Sequence, residues 1–187
     1  MKHNYSRYSD EELFNLMSGE KPESEAAFSE LYARFSQRIY AYCLRILGNT
    51  EDAMDVFQDT FLSFYKSGTT QKKMENVAAF LFTIARNLCI NHKRDKKSTS
   101  NIDDFEFFNS EKKYENEELL QLISTALEFL DFEYREAFVL RLYHGLSYKE
   151  IADVQNETIA AVRNRVWRAK EKIKNILTPY LEDLSNN

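Results

Sequence analysis

Turn-forming residues are scarce in this chain: four of its 187 residues are Gly and two are Pro. An all-β fold needs many tight turns, which Gly and Pro above all supply, so the composition argues against one. Long apolar runs are missing as well. The longest uncharged run, "NVAAFLFTIA" at 76–85, is far shorter than the roughly 20 residues of a membrane-spanning helix. The opening "MKHNYSRYSDEEL" is polar and lacks the apolar core of a secretion signal, so a cytoplasmic protein without membrane insertion is expected. Cysteine is limited to Cys43 and Cys89, each isolated in an apolar helical pattern. They read as small buried hydrophobes in a reducing compartment, not as a disulfide or a zinc site. His3, His92 and His144 are scattered, and there is no His-Glu-x-x-His helix, phosphate-binding Gly loop or paired nucleophile and base. No enzymatic activity, metal or cofactor is expected.

What the chain does have is patterned charge. Its formal net charge is −5, but the sign alternates along the sequence. Residues 1–65 carry net −5, 66–97 net +6, 98–157 net −9 and 158–187 net +3. Two basic segments between acidic ones suggest two contact sites for a polyanion, with acidic surfaces turned to other partners.

Apolar periodicity then divides the chain. Ser9-Asp10-Glu11-Glu12 is a capping box, opening a short helix from Asp10 to Ser18 that Gly19 ends. Pro22 suits the first turn of the next segment, in which Phe28, Leu31, Tyr32, Phe35, Ile39, Tyr42, Cys43 and Ile46 recur at helical spacing. Gly48-Asn49 breaks that helix or helix pair. Ala53, Val56, Phe57, Thr60, Phe61 and Phe64 mark a third helix reaching Tyr65. "KSGTTQKKMEN" reads as a basic loop, and Val77, Leu81, Ile84 and Leu88 mark a fourth helix running into "HKRDKK". Residues 98–114 hold no helical period and read as an acidic linker. Beyond it, Leu119, Leu122, Ile123, Ala126, Leu127 and Leu130 form a helix, and Ala137, Val139, Leu140 and Leu142 another that Gly145 ends. Two small helical domains are expected, a bundle over 8–97 and a helix-turn-helix domain over 115–182.

The second domain carries the sharper motif. In "LSYKEIADVQNETIAAVRNRVWRAKEKI" a short helix, a turn and a longer helix follow one another. Ser147 and Glu150 form a capping box, Asn156 tolerates the left-handed turn conformation, and Thr158 caps the second helix. Ile159, Val162, Val166, Ala169, Ile173 and Leu177 share one side of that helix. Ala160, Asn164 and Arg168 fall opposite, with Arg163 and Arg165 on the flanks. Such a face suits a major groove: small Ala160 and Ala161 permit close approach, while Asn and Arg pair bidentately with adenine and guanine. Flanking cations suit phosphates. Trp167 reads as packing at the domain edge.

With those motifs in view, the chain resembles the extracytoplasmic-function sigma factors of bacterial RNA polymerase. "YREAFVLRLYHGLS", "GLSYKEIAD" and "AVRNRVWRAK" are similar to the family's last domain, and "DAMDVFQDTFLSFY" with "AAFLFTIARNLCINHKR" to its first. The likeness runs from about residue 10 to 180. It implies that Asp55, Gln58, Asp59 and Leu62, an exposed i, i+3, i+4, i+7 row, bind the clamp helices of the largest subunit of core RNA polymerase. It implies that Lys66, Lys72, Lys73, Phe80, Arg86, Asn87, Lys93 and Arg94 capture the −10 element as single-stranded DNA, although Phe80 fits a core position equally well. For the −35 duplex it implies Thr158, Ala160, Ala161, Arg163, Asn164, Arg165 and Arg168. An anti-sigma factor is the further partner class the family brings.

Five positions depart from the family pattern. Met54 replaces a usual Glu, Phe80 a usual Trp, and Ala161 a Thr that often touches the DNA backbone. Gln155 and Glu157 stand in the turn where apolar residues and Gly are usual. The competing reading is a repressor or activator that binds duplex DNA without polymerase. It leaves the Asp55/Gln58/Asp59 row and the 66–97 basic block without a role.

Overall fold

The computed structural model describes the backbone of residues 5–70, 74–99 and 117–185, and the side chains up to 96 and from 122 to 180. Lys72, Lys73 and residues 100–114 of the expected linker lie outside the described residues. The fold is all-α, and contacts divide the chain into two units, Met1–Glu106 and Phe107–Asn187.

In the first unit a 3₁₀ turn at Tyr5–Arg7 leads into α1 (Asp10–Leu16), α2 (Lys21–Leu47), α3 (Thr50–Thr70) and α4 (Val77–Thr99). The expected capping box forms: the Ser9 hydroxyl accepts the Glu12 amide at 3.1 Å, and the Glu12 carboxylate accepts the Ser9 amide at 2.7 Å. Pro22 sits in the first turn of α2, which is one helix rather than a pair and ends at Gly48 with φ of 75°. Only glycine takes that left-handed conformation without strain. Two Asn side chains, which the sequence reading passed over, satisfy free amides where helices start. Asn49 accepts from Asp52 at 2.9 Å and Asn76 from Ala79 at 2.8 Å. Arg34 fastens the N-terminal segment to α2, donating to the carbonyls of Tyr5, Ser6 and Tyr8 and pairing with Asp10 at 2.7 Å and Glu30 at 2.9 Å.

The core of this unit is aromatic. Phe14 meets Phe64 with ring centroids 5.5 Å apart, and Tyr42 meets Phe82 edge-on at 5.4 Å. All four rings are fully buried, as are both cysteines, neither of which is in a disulfide. Two expectations shift here. The basic stretch from Lys66 is not a loop at its start, because α3 continues to Thr70. Gly68, inside the stretch expected to be a loop, is a buried helical residue whose added Cβ would collide with the Met17 side chain. Its missing side chain serves close packing, not a turn. On α4 the fully buried residues are Val77, Leu81, Phe82, Ala85 and Cys89, with Ile84 and Leu88 at the edge.

The second unit comprises α5 (Glu117–Glu128), α6 (Phe132–Phe138), a π-helical turn at Val139–Tyr143, α7 (Tyr148–Gln155) and α8 (Ile159–Ser185). The π turn, closed by the His144 amide on the Val139 carbonyl at 3.2 Å, adds a residue to the helical repeat. That rotates Leu142 away from the stripe begun by Ala137, Val139 and Leu140 and leaves it 48% exposed, where the sequence placed it inside. Val162, Val166, Ala169, Ile173 and Leu177 of α8 are buried as expected, but Ile159, the first residue of the helix, is half-exposed. Arg135 is buried and donates to the carbonyls of Glu128 at 2.9 Å and Leu130 at 3.2 Å, closing the end of α5. Burial lowers its pKa, partly offset by Glu128.

Candidate polymerase and promoter interfaces

On α3 the buried stripe of Val56, Phe57, Thr60, Phe61 and Phe64 fixes what faces outward. Asp55, Gln58, Asp59 and Leu62 are all exposed and form one row, with Leu62 58% accessible. Beside the row lies a groove of about 660 Å³ between α2 and α3, lined by Phe28, Tyr32, Phe57, Gln58, Phe61, Leu62 and Tyr65 among others. Its walls are rigid because the rings brace one another. Tyr32 lies against Phe61 at 4.7 Å and Phe28 against Tyr65 at 5.0 Å. Sequence reasoning missed this groove. Phe28 and Tyr32 fit the buried period of α2, and the pattern does not show that Tyr32 stays 40% exposed beside α3. Carboxylates beside an apolar groove suit a partner helix with cations around an apolar anchor.

Near the junction of α3 and α4, Lys66 is exposed. On α4, Phe80, Asn87 and Arg94 recur every seven residues and so share a face, and Arg86 and Lys93 flank it. Asn87 and Arg94 are exposed, while Phe80, Arg86 and Lys93 are half-buried. Phe80 packs edge-on against Phe14 at 6.1 Å and tilted against Phe64 at 6.2 Å, so its ring belongs to the margin of the aromatic core. At the far end of α4, Asp52 at the start of α3 pairs with Lys96 at 2.6 Å and His92 at 3.0 Å. Partial burial opposes ionisation of Asp52, but hydrogen bonds from Lys96 and His92 outweigh it and hold the carboxyl below its ordinary range.

The helix-turn-helix forms as its caps foretell. Ser147 accepts the Glu150 amide at 3.2 Å, and Glu150 accepts the Ser147 amide at 2.7 Å. Asn156 takes the left-handed conformation with φ of 52°, and the Thr158 hydroxyl accepts the Ala161 amide at 3.1 Å. Thr158, Ala160, Asn164 and Arg168 are exposed on one side of α8, and Ala161 is half-buried. Arg163 lies over the Tyr148 ring at 5.5 Å, with Arg141 over the same ring at 4.8 Å. Stacking of this kind holds a cation in place before a ligand arrives. Trp167, expected to pack, is 62% exposed. On a helical wheel it falls about 80° from Ile159, and that flank of α8 is left uncovered.

Arg165 has surroundings the sequence pattern did not reveal. Its guanidinium pairs with Glu157 at 2.8 Å and Glu133 at 3.2 Å, and donates to the Gln155 side-chain carbonyl at 3.3 Å. Partial burial works against its charge, but the bond to Glu157 and the nearby Glu133, Glu157 and Glu136 carboxylates outweigh that and raise its pKa. Among the described residues there is no group of acidic, His and Cys side chains that could hold a metal ion, and no helix long and apolar enough to cross a membrane.

Comparison with known proteins places the chain in a family. Sigma-70 region 2 matches residues 31–99, and Sigma-70 region 4 matches residues 120–173. The chain belongs to the sigma-70 family of sigma factors. Over 172 residues it is 27% identical to the RNA polymerase sigma-H factor of Pseudomonas aeruginosa, covering 84% of this chain and 89% of that one. It is 28% identical to the ECF RNA polymerase sigma-E factor of Escherichia coli K12, covering 84% and 90%. In fold it is similar to the Bartonella quintana sigma factor RpoE, solved with the anti-sigma factor NepR. The TM-score is 0.71 at 22% identity, over 81% of this chain and 96% of that one. CnrH, solved with the cytosolic domain of CnrY, gives 0.69 at 24% identity over 91% and 99%. Sigma factors bind core RNA polymerase and promoter DNA, and this alternative sigma factor directs transcription initiation. Its α3, α4 and α7, and the start of α8, fall inside the two matched regions.

Proposed function

We propose that the sigma factor divides its work among three faces. The Asp55, Gln58, Asp59 and Leu62 row, together with the aromatic groove, docks a basic helix of core polymerase, the clamp helices of its largest subunit. The outer face of α4, with Lys66, Lys72 and Lys73 before it, holds the −10 element as single-stranded DNA. Arg86, Asn87, Lys93 and Arg94 meet phosphates and bases there, and Phe80 offers one ring edge at the strand's margin. On α8, Asn164 and Arg168 read base edges of the −35 duplex, Ala160 and Ala161 allow close approach, Thr158 and Arg163 meet phosphates, and Arg165 supports the helix from within.

The observation that carries this reading is the chemistry of two exposed helical rows. One is acidic and apolar, beside a groove; the other is cationic and amide-bearing, at the start of a helix that follows a tight turn. A protein that only bound duplex DNA would have no use for the first. The sigma factor acts without a catalytic step of its own, in the cytoplasm where its polymerase is. Both RpoE and CnrH were solved with a partner protein, and an anti-sigma factor is the matching partner here.

The test is reconstituted transcription with core polymerase and a library of promoter fragments. Start sites that depend on added sigma factor, and that share a −35 and a −10 sequence, are the expected result. Absence of any such start site with several bacterial core enzymes rejects the reading.

A further inference from the structure

Between α6 and the helix-turn-helix runs a chain of polar contacts that the family pattern does not call for. Glu136 of α6 is 1% exposed and Gln155, the last residue of α7, is 5% exposed. The Gln155 amide donates to the Glu136 carboxylate at 2.8 Å, and the other end of the same side chain accepts from Arg165 of α8 at 3.3 Å. Arg165 in turn binds Glu157 in the turn at 2.8 Å and Glu133 of α6 at 3.2 Å. Two elements and the turn between them are therefore joined to α6 through one amide and one guanidinium. Gln155 also immediately precedes Asn156, whose left-handed conformation sets the direction in which the chain enters α8.

The geometry is unlike that of a phosphate contact. A cation that neutralises a phosphate must be able to turn its donors outward, whereas those of Arg165 engage three acceptors of its own domain. An amide between a buried carboxylate and a guanidinium can serve both at once, since its NH₂ donates to one and its oxygen accepts from the other. An apolar residue in the same place could do neither and would leave the Glu136 carboxylate buried without that bond.

We propose that Gln155 and Arg165 are positioning residues for −35 recognition. The Glu136–Gln155–Arg165 chain, closed by Glu157 and Glu133, sets the angle at which α8 presents Asn164 and Arg168 to the major groove. Arg165 therefore contributes selectivity through alignment and neutralises no phosphate. This inference rests on the reading of Asn164 and Arg168 as base contacts, and its test keeps the two apart.

The test uses holoenzyme made with the full-length chain and a −35 duplex that wild-type holoenzyme selects from a random library. Affinity is measured for that duplex and its single-base variants at several salt concentrations. Each phosphate contact contributes about 0.9 to the slope of log K against log salt. Arg163→Gln should lower the slope by about that amount and leave base discrimination intact. Arg165→Gln should leave the slope unchanged while discrimination falls on the order of tenfold across the element, and Gln155→Leu should do the same more weakly. Gln155→Glu sets two buried carboxylates face to face and should abolish discrimination. The exchange Glu136→Gln with Gln155→Glu restores an amide–carboxylate bond, puts the carboxylate on Arg165, and should recover it. Should the Gln155→Glu chain fail to fold, recovery of folding and of discrimination together in the exchange variant carries the same information. A loss of about 0.9 in slope for Arg165→Gln with discrimination intact would overturn the proposal. So would wild-type discrimination in Gln155→Leu, or an exchange variant no better than Gln155→Glu. Failure of the base-contact reading has a different signature: Asn164→Ala then leaves discrimination at every position unchanged, whatever the Arg165 and Gln155 variants do.

Discussion

α3 and α8 each bury one stripe of a long helix and expose another, yet they are supported from behind in different ways. α3 rests on interlocking rings, with Phe57, Phe61 and Phe64 among them, and none of its exposed row is needed for that support. α8 rests on aliphatic residues with no ring among them, and additionally gives up Arg165, a cation on its flank, to bonds inside the domain. The buried stripes set the fold, while the exposed residues choose the partner. Where the stripe is bulky, the exposed row is unencumbered. Where it is thin, polar contacts take over part of the work of orienting the helix.

The comparison predicts unequal damage. Phe64→Ala removes a fully buried ring from the aromatic core and should destabilise the first unit by about 3–5 kcal/mol. The second unit should be spared, so calorimetry should show a lower transition for the first alone; equal loss in both would mean they do not melt separately. Asp55→Lys with Asp59→Lys changes only exposed charges and should hardly alter stability. It should nevertheless weaken binding to core polymerase at least tenfold in a titration with labelled sigma factor, by opposing the cations of the partner helix. On α8, Tyr148→Leu removes the ring under Arg163, an interaction worth roughly 0.5–1 kcal/mol at an exposed site. Promoter affinity should fall only a few-fold, with base preferences retained. A loss of preference instead would show that Tyr148 also aligns the helix.

The smallest expected effect is acid-dependent. Asp52 ionises more readily in the folded protein than in the unfolded chain, so its pairs with Lys96 and His92 add stability above its unfolded pKa of about 3.9. That stability is lost as pH falls through the lower folded value. Asp52→Asn should therefore melt earlier than wild type at neutral pH, and the gap should close as the buffer is taken from about pH 5 down through the ordinary carboxylate range. A gap that stays constant with pH would assign the loss to packing.

Much of the architecture was legible because local chemistry and periodicity agreed. Both capping boxes, the left-handed Asn156 and the Thr158 cap depend on residues within three or four positions of one another. What escaped depends on distant parts of the chain. Gly68 looks like a helix breaker until Met17 is seen beside it, and Leu142 looks buried until the π turn shifts the helical phase. Trp167 looks like a packing residue because aromatics usually are, yet nothing in its own helix says whether a neighbour covers it. Arg165 looks like a phosphate contact by its type and spacing, and its bonds to Glu133, Gln155 and Glu157 come from other elements that its own helix does not reveal. Sequence period tells which residues share a face. It does not tell what lies opposite that face.

The central claim is that the α3 row and the exposed face of α8 address different partners. The most direct measurement compares two double variants, Asp55→Lys with Asp59→Lys and Asn164→Ala with Arg168→Ala, in a core-polymerase titration and in promoter binding by the assembled holoenzyme. The α8 pair should keep core affinity within about twofold and lose discrimination among −35 sequences. The α3 pair should lose core affinity at least tenfold, and saturating it with core should restore normal −35 preferences. If the α8 pair lost core affinity as severely as the α3 pair, or the α3 pair changed −35 preferences once bound, the division of labour between the two helices would be contradicted.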